Sequence, residues 1–221
     1  MHRRRRTALL VSSAALLVAA PLLTGCGNDG HAGTAAVVDG RRITVAQLQN
    51  RVQEIRDALR REVPNDQQYE QVVERTGGLS RSTLQTLVLD QVVHHAATKA
   101  GVRTGRKDIQ QMRAGLERQA GGAKALEVSW LRQYGVAPKR LDDSLRTELE
   151  ARKLAEKLGV DMNDQKGQAA FWKHVADTGR DMHIDMNPRY GTWDVRRNAR
   201  VEAKAPWLRE VSRSTQLGSQ A

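Results

Sequence analysis

The chain has 221 residues, a formal net charge of +11 and an aromatic content of only 4%. A basic balance favours contact with anionic surfaces, whereas nucleic-acid binding needs a clustered basic patch or a known module, so we expect no nucleic-acid partner. Cys26 is the only cysteine, which excludes an intramolecular disulfide. Stretches rich in Ala, Leu, Glu, Gln and Arg predict a mainly α-helical protein, held together by packing alone.

The first 25 residues have the layout of a secretory signal peptide. Four arginines at positions 3–6 precede an apolar stretch over residues 8–23, which ends in Leu23-Thr24-Gly25-Cys26. This ending resembles the bacterial lipobox. The resemblance implies cleavage between Gly25 and Cys26, a diacylglycerol group on the Cys26 thiol, acylation of the new amino terminus, and a lipid anchor in the cell membrane at its extracytoplasmic face.

Two other interpretations of this segment are a buried thiol and a one-pass membrane anchor. Ser12, Ser13 and Pro21 interrupt the apolar stretch, which also falls short of the roughly 20 apolar residues that span a bilayer. The sequence therefore favours the lipoprotein interpretation.

A tether and a short hairpin come next. Residues 26–34 are mostly small and are expected to hold the domain off the membrane. An apolar run over residues 35–38, the pair Asp39-Gly40 and a short extended piece to Ile43 predict a tight hairpin. Thr44, with Gln47 three residues later, forms a capping-box pattern that predicts the start of a helix.

The next part of the chain predicts six to seven helices, each from an apolar stripe with a three- and four-residue spacing and a Gly or Pro stop. One of them is short and weakly apolar, over residues 67–75. The other predicted helices cover residues 45–61, 80–99, about 105–120, a short segment around 126–134, 138–158 with Pro138 first, and about 165–178.

A small β element is expected to close the fold. Residues 182–186 alternate between apolar and polar types, and their natural partner is the strand at 36–39. This pairing would join the two ends of a domain over residues 35–193 in a two- or three-strand element. From Asp194 the pattern dissolves, and residues 194–221 predict a disordered basic tail. That tail either contacts anionic lipid or wall polymer or has no function.

Three segments resemble the amino-terminal chaperone domain of the SurA family and, more loosely, the helical part of PrsA-type foldases. They are Val37-Val38-Asp39-Gly40 with Ile43-Thr44, the helix ending in Ala96-Ala97-Thr98-Lys99-Ala100-Gly101-Val102, and Asn187-Pro188-Arg189-Tyr190-Gly191-Thr192-Trp193. The resemblance implies a helical domain with a small strand pair, whose groove binds unfolded or newly exported polypeptides without a cofactor.

Family members with peptidyl-prolyl isomerase activity carry a parvulin domain of about a hundred residues. Only residues 159–163 separate the last two predicted helices, and the segment after Trp193 is short and polar. We therefore expect no isomerase activity from this sequence.

No catalytic or metal-binding constellation is found in the sequence. His94 and His95 are adjacent on a helix and point about 100° apart, so they do not converge on a metal ion. The acids at 142, 143, 148 and 150 lie near four basic residues and predict a solvated ion-pair face. We expect no enzyme, no metal and no cofactor.

The aromatic residues are the candidates for peptide binding. They either complete the core or present an adaptable apolar surface to a client. For residues 187–193 a closing turn over the core is favoured over a peptide-docking lip. The candidates are Trp130, Tyr134, Trp172, Tyr190 and Trp193.

Two functions fit this sequence. The first is a membrane-anchored chaperone-like lipoprotein that binds unfolded exported chains. The second is a structural or adaptor lipoprotein that binds one specific partner in the cell envelope.

Overall fold

A computed structural model of the chain describes residues 33–63, 65, 69–70 and 78–203. The described residues form six α-helices, one 3₁₀ turn and five short strands, so the prediction of a mainly helical fold is confirmed. In chain order the elements are β1 (Thr34–Val38), β2 (Arg41–Thr44), α1 (Val45–Glu62), α2 (Leu79–Lys99), α3 (Arg106–Ala120), α4 (Ala123–Tyr134), the 3₁₀ turn (Pro138–Arg140), α5 (Leu141–Leu158), α6 (Gln165–Asp181), β3 (Ile184–Met186), β4 (Thr192–Asp194) and β5 (Ala199–Val201).

The three-stranded sheet joins the two ends of the helical region. Its order is β2-β1-β3, with both pairs antiparallel. Asp39 and Gly40 both adopt positive φ, at 49° and 74°, as a two-residue hairpin between right-handed twisted strands requires. Val38 lies opposite Ile184, so the predicted pairing of the segment at 182–186 with the first strand is confirmed.

The capping box predicted at the start of α1 is present. The Gln47 backbone N–H donates to Oγ1 of Thr44 at 3.0 Å, and the Thr44 N–H donates to Oε1 of Gln47 at 2.8 Å. These two bonds satisfy donors that the first helical turn leaves without partners. The cap fixes the point at which the β2 strand turns into the helix.

Helix α2 is the centre of the main core. It packs against α1, α5, α6 and β1, and its side chains on that side are fully buried because the helix is surrounded there by apolar neighbours. Those buried residues of α2 are Leu84, Val88, Val92, Val93, Ala96 and Ala97.

Two smaller apolar clusters support α5 and α4. One joins α3, α4 and α5 through Ile109, Leu126 and Leu145. The other joins α1 to the end of α4 through Ile55 and Leu131. Helix α5 therefore lies between the main core and the α3–α4 pair, and its carboxyl-terminal part reaches the main core at Leu154.

Two predictions about the ends of elements are corrected by the structure. Pro138 begins a 3₁₀ turn, and the α-helix starts only at Leu141. The expected tail is wrong for its first residues: strand β5 pairs with β4, and Asn198 donates from Nδ2 to the Trp172 carbonyl oxygen at 2.9 Å. Asn198 tolerates the positive φ of 49° that this turn needs.

Several predictions lie outside the described residues. These are the signal peptide with Gly25 and Cys26, nearly all of the tether, the tail from residue 204, and the helix over residues 67–75 apart from Tyr69 and Glu70. Within the part of the chain that the structure describes, none of the helices combines the length and the apolar character needed to span a membrane.

Candidate functional site

A groove runs between α2 and α5. It consists of two adjoining cavities, of about 340 Å³ and about 130 Å³. Asp90 on α2 and Asp143 on α5 line both of them, so the two cavities adjoin at these residues. We call this feature the α2/α5 groove, and its two parts the polar cavity and the apolar cavity.

The apolar cavity lies at the amino-terminal half of α2. It is bounded by α1, by the segment from the end of α4 to the 3₁₀ turn, and by the first residues of α5. Among the aromatic and aliphatic residues that line this cavity, Tyr134 is the most exposed, at 54%. The apolar side chains that line it are Ile55, Leu79, Leu87, Tyr134, Val136 and Ala137, and its charged lining residues are Arg51, Glu54, Asp90, Arg140 and Asp143.

The polar cavity lies beside the carboxyl-terminal half of α2 and the middle of α5. The turn between β1 and β2 contributes Asp39 and Arg41 to its rim. Its four carboxylates outnumber its two guanidinium groups, in a chain whose overall charge is strongly positive. The charged and imidazole side chains that line it are Asp39, Arg41, Asp90, His94, His95, Asp143, Arg146 and Glu150.

Asp90 is the most perturbed of these groups. Burial of its carboxylate raises the pKa to about 6, and the nearby charges of Asp143 and Glu150 act in the same direction. A hydrogen bond with Thr147 and the charge of Arg51 oppose this rise. No lysine or arginine among the described residues lies within 4 Å of the Asp90 carboxylate. Its negative charge at neutral pH is therefore compensated only in part.

Glu150 corrects the prediction of a fully solvated acidic face on α5. Its side chain is buried, with 6% exposure, and both of its carboxylate oxygens lie within 3.1 Å of Nδ1 of His94. Asp142, Asp143 and Glu148 are exposed, as predicted. Glu150 lies one helical turn before Leu154, which α5 contributes to the main core beside α2, so the two side chains share that face of the helix.

Glu54 of α1 anchors the wall of the apolar cavity. Arg140 donates from Nε and Nη2 to its two carboxylate oxygens, each at 2.8 Å, and Lys139 approaches to 3.2 Å. The hydrogen bonds from Arg140 lower the pKa of the Glu54 carboxyl to about 2, although burial opposes them. This bidentate pair fixes the 3₁₀ turn against α1.

The five predicted aromatic candidates do not converge. Trp130 and Tyr134 contact each other on α4, with ring centroids 4.9 Å apart, but only Tyr134 lines the groove. Trp172 is 41% exposed on α6. Tyr190 is buried in the main core and Trp193 packs against it, which agrees with the closing-turn interpretation of residues 187–193.

The sequence reasoning missed the groove residues Asp90 and Thr147. Asp90 is the only acidic residue in the 21 residues of α2, and an isolated acid within a largely buried helix is a detectable signal. Thr147 gives no comparable signal, since its role depends on the packing of α5 against α2.

The groove holds no arrangement of residues typical of a metal site. Within the described ranges, no group of three or more His, Cys, Asp or Glu side chains has the geometry to hold a metal ion. The His94–Glu150 pair and Asp90 present instead a set of hydrogen-bonding and anionic groups next to an apolar surface. Such a lining suits the binding of a mixed apolar and polar segment.

The comparison with protein families identifies a related family. The model described as a SurA-like N-terminal domain matches residues 1–155. The matched segment ends within α5, so α6 and the strands β3 to β5 lie beyond it. No curated protein and no solved structure matches this chain significantly.

Proposed function

Because this chain belongs to the family of SurA-like N-terminal domains, we propose that it is a membrane-anchored extracytoplasmic lipoprotein that binds unfolded, newly exported polypeptides and catalyses no reaction. The family match carries this proposal, since the family is of a chaperone type. The α2/α5 groove supports it, because an open groove with both apolar and polar walls accepts segments of many sequences.

The anchor in this proposal is Cys26. The lipobox-like ending at residues 23–26 and the preceding basic and apolar segments support lipidation of its thiol. The test is to express the full chain and a Cys26→Ser variant with labelled palmitate in a Gram-positive host. We expect label and membrane association only for the unchanged chain. Equal membrane association of an unlabelled Cys26→Ser variant would contradict the lipid anchor.

Client binding is tested by suppression of aggregation. The full protein, reconstituted in neutral lipid nanodiscs, is mixed with two unrelated unfolded substrates, and light scattering is followed against empty nanodiscs. We expect suppression of both substrates at near-stoichiometric ratios. Suppression of neither, together with one saturable cross-linked partner in the cell envelope, would replace this proposal with that of a dedicated adaptor.

The basic carboxyl-terminal part of the chain is proposed to contact anionic lipid or wall polymer. Residues 195–221 carry more basic than acidic side chains, and basic segments near a membrane surface are attracted to anionic headgroups. We expect the full protein to bind vesicles that contain phosphatidylglycerol more tightly than neutral vesicles. A chain ending at residue 203 loses three of the six basic residues of this segment and should show a smaller difference. An unchanged preference after this truncation would contradict the contact.

A further inference from the structure

The α2/α5 groove places an apolar surface directly beside an incompletely compensated carboxylate. Asp90 lines both the apolar and the polar cavity. Of the other carboxylates of the polar cavity, Asp143 lies 3.6 Å from Arg51 and 3.5 Å from Arg140, Glu150 is bonded to His94, and Asp39 is exposed on the rim. Asp90 has a hydrogen bond with Thr147, and the charge of Arg51 also acts on it. Arg51 is paired with Asp143, and no arginine or lysine among the described residues forms an ion pair with Asp90.

We infer that the α2/α5 groove selects extended client segments in which an arginine or lysine lies about three residues from a large apolar side chain. The apolar side chain would occupy the cavity at Tyr134, and the cation would pair with Asp90 at the junction of the two cavities. This inference rests on the proposed function, since it names the class of polypeptide that the same groove binds.

The spacing follows from the geometry of α2. Apart from Asp90, the α2 residues that line the apolar cavity run from Leu79 to Leu87, and the midpoint of this range, Thr83, lies seven residues before Asp90. Seven helical residues rise by about 10 Å, which an extended chain covers in about three residues. The whole lining of the groove on α2 extends from Leu79 to Thr98, about 28 Å. An extended segment of about eight residues spans it.

Charge complementarity argues for a cationic client rather than a neutral or acidic one. A guanidinium or ammonium group beside Asp90 offsets the desolvation of its carboxylate, whereas an acidic segment meets four carboxylates against two guanidinium groups in the polar cavity. Arg51 and Arg140, which line the apolar cavity, are paired with Asp143 and Glu54. The groove therefore rejects acidic segments as well as accepting basic ones. This selectivity operates within a chain whose overall charge would otherwise repel basic clients.

The test uses matched peptides. A fluorescent decapeptide carries one Trp and, three residues later, one Arg, and its twin carries citrulline, the neutral isostere of arginine, at the same position. Binding to the full protein in neutral nanodiscs is measured by fluorescence anisotropy at pH 7.5 and low salt. We expect the Arg peptide to bind at least fivefold more tightly than the citrulline peptide.

Two pairs of variants locate the effect. Asp90→Asn should reduce the preference for arginine to less than twofold, whereas Glu148→Gln, an exposed acid of α5 outside the groove, should keep it. Tyr134→Ala should weaken the binding of both peptides by a similar factor. Trp172→Ala, which removes the exposed aromatic side chain of α6, should weaken the binding of neither. Circular dichroism confirms that each variant is folded.

The possible results separate this inference from the proposed function. Equal binding of the two peptides, with weakening by Tyr134→Ala, would overturn the selectivity for cations and leave client binding in the groove intact. If neither Asp90→Asn nor Tyr134→Ala changes the affinity for the peptides, the groove is not the binding site, even if the protein suppresses aggregation. Loss of both peptide binding and suppression would overturn both.

Two other occupants of the groove are distinguished in the same series. A tenfold or greater rise in affinity when the chain ends at residue 203 would contradict an external client as the main occupant, because residues 204–221 would then be competing for the groove. Dimerisation that Tyr134→Ala abolishes, measured by sedimentation velocity, would assign the groove to a second copy of this chain and overturn the inference.

Discussion

Asp90 occupies a position where ionisation of a carboxyl group costs free energy. Its pKa in the folded protein is about 6 and its ordinary value is 3.8, with burial as the main cause. Between these two values the folded chain binds a proton that the unfolded chain has released, so this group makes folding less favourable as the pH rises. The groove therefore carries a stability cost at neutral pH, which is common at binding sites.

We expect Asp90→Asn to stabilise the protein at neutral and alkaline pH. The gain is at most about 3 kcal/mol at pH 8, because a pKa difference of about two units corresponds to that free energy. It should fall as the pH drops from 6 towards 3.8 and be below about 1 kcal/mol at pH 4, where the folded side chain is protonated and the unfolded one is only partly ionised. Urea unfolding of both proteins at pH 8, 6 and 4 measures this difference. A gain that is the same at all three pH values would show that ionisation is not its cause.

The ion pair between Arg140 and Glu54 makes the opposite contribution. Removing the guanidinium group leaves a carboxylate with 9% exposure and without its two short hydrogen bonds. We expect Arg140→Ala to lower the free energy of unfolding by about 2 kcal/mol, the usual size of hydrogen bonds to a charged group, because Lys139 still lies 3.2 Å from the carboxylate. Arg146→Ala, at an exposed residue of the following helix α5, should change it by less than about 0.5 kcal/mol. Chemical denaturation at pH 7 compares the two variants.

The low pKa of Glu54 also gives this pair a pH dependence. The folded value is about 2 and the ordinary value is 4.5, so the stabilisation is complete above pH 5 and is lost as the pH falls towards 2. The difference in stability between the protein and Arg140→Ala should shrink over that range. A constant difference from pH 7 to pH 2.5 would contradict the assignment of the effect to this ion pair.

At the scale of elements, the sequence predicted what depends on local pattern. The apolar stripes, the capping box at Thr44 and the Asp39-Gly40 turn each encode their own structure within a few residues, and all are present. The pairing of β3 with β1 was also predicted, because only two segments had strand periodicity. The α2/α5 groove was not predicted, because it depends on two helices about 50 residues apart packing at a particular register.

Strands β4 and β5 show the limit of periodicity as a signal. Each has only three residues, and the basic composition around them is typical of a tail. Their pairing depends on contacts with distant elements: the Arg200 N–H donates to Oε1 of Gln85 on α2 at 3.2 Å, and Asn198 bonds to α6. Contacts of this kind are not visible in the local sequence pattern.

Gly191 provides a test of the β4–β5 hairpin. Its φ is +118°, and a Cβ atom there would lie 2.4 Å from the Val201 carbonyl oxygen. We expect Gly191→Ala to lower the free energy of unfolding by about 3 kcal/mol, from backbone strain together with displacement of β5. Gly101→Ala is the matched control, since its φ is +75° but its Cβ would meet open space. It should cost only about 1 kcal/mol. An equal loss of stability in the two variants would show that Gly191 is not tightly packed against β5.

At the scale of the whole molecule, the sheet determines where the domain ends. Strand β1 is the middle strand, and its carboxyl-terminal partner β3 covers the edge that β2 leaves open. Met182, Met186 and Tyr190 complete the main core around it. The fold therefore needs residues well beyond the end of the matched family segment.

Two truncations test this dependence. A chain that ends at Asp181 lacks β3, Met186 and Tyr190, and we expect it to lose its cooperative thermal transition because the main core is left open. A chain that ends at residue 203 keeps these contacts and should melt cooperatively. Thermal unfolding followed by circular dichroism compares them. A cooperative transition in the shorter chain would show that the helices form a stable unit without the sheet.

The pairing of β1 also determines how late in synthesis the three-stranded sheet can be completed. Ala36 pairs with Met186, 150 residues later in the chain. Chains emerge from the ribosome at about 5–20 residues per second, so roughly 8–30 s pass between the synthesis of β1 and that of β3. During that interval β2 can form its local hairpin, but the other edge of β1 stays without a strand beside it and is open to pairing with a second chain. A protein proposed to bind unfolded polypeptides is thus itself, for most of its own synthesis, an incompletely folded chain with an exposed strand edge.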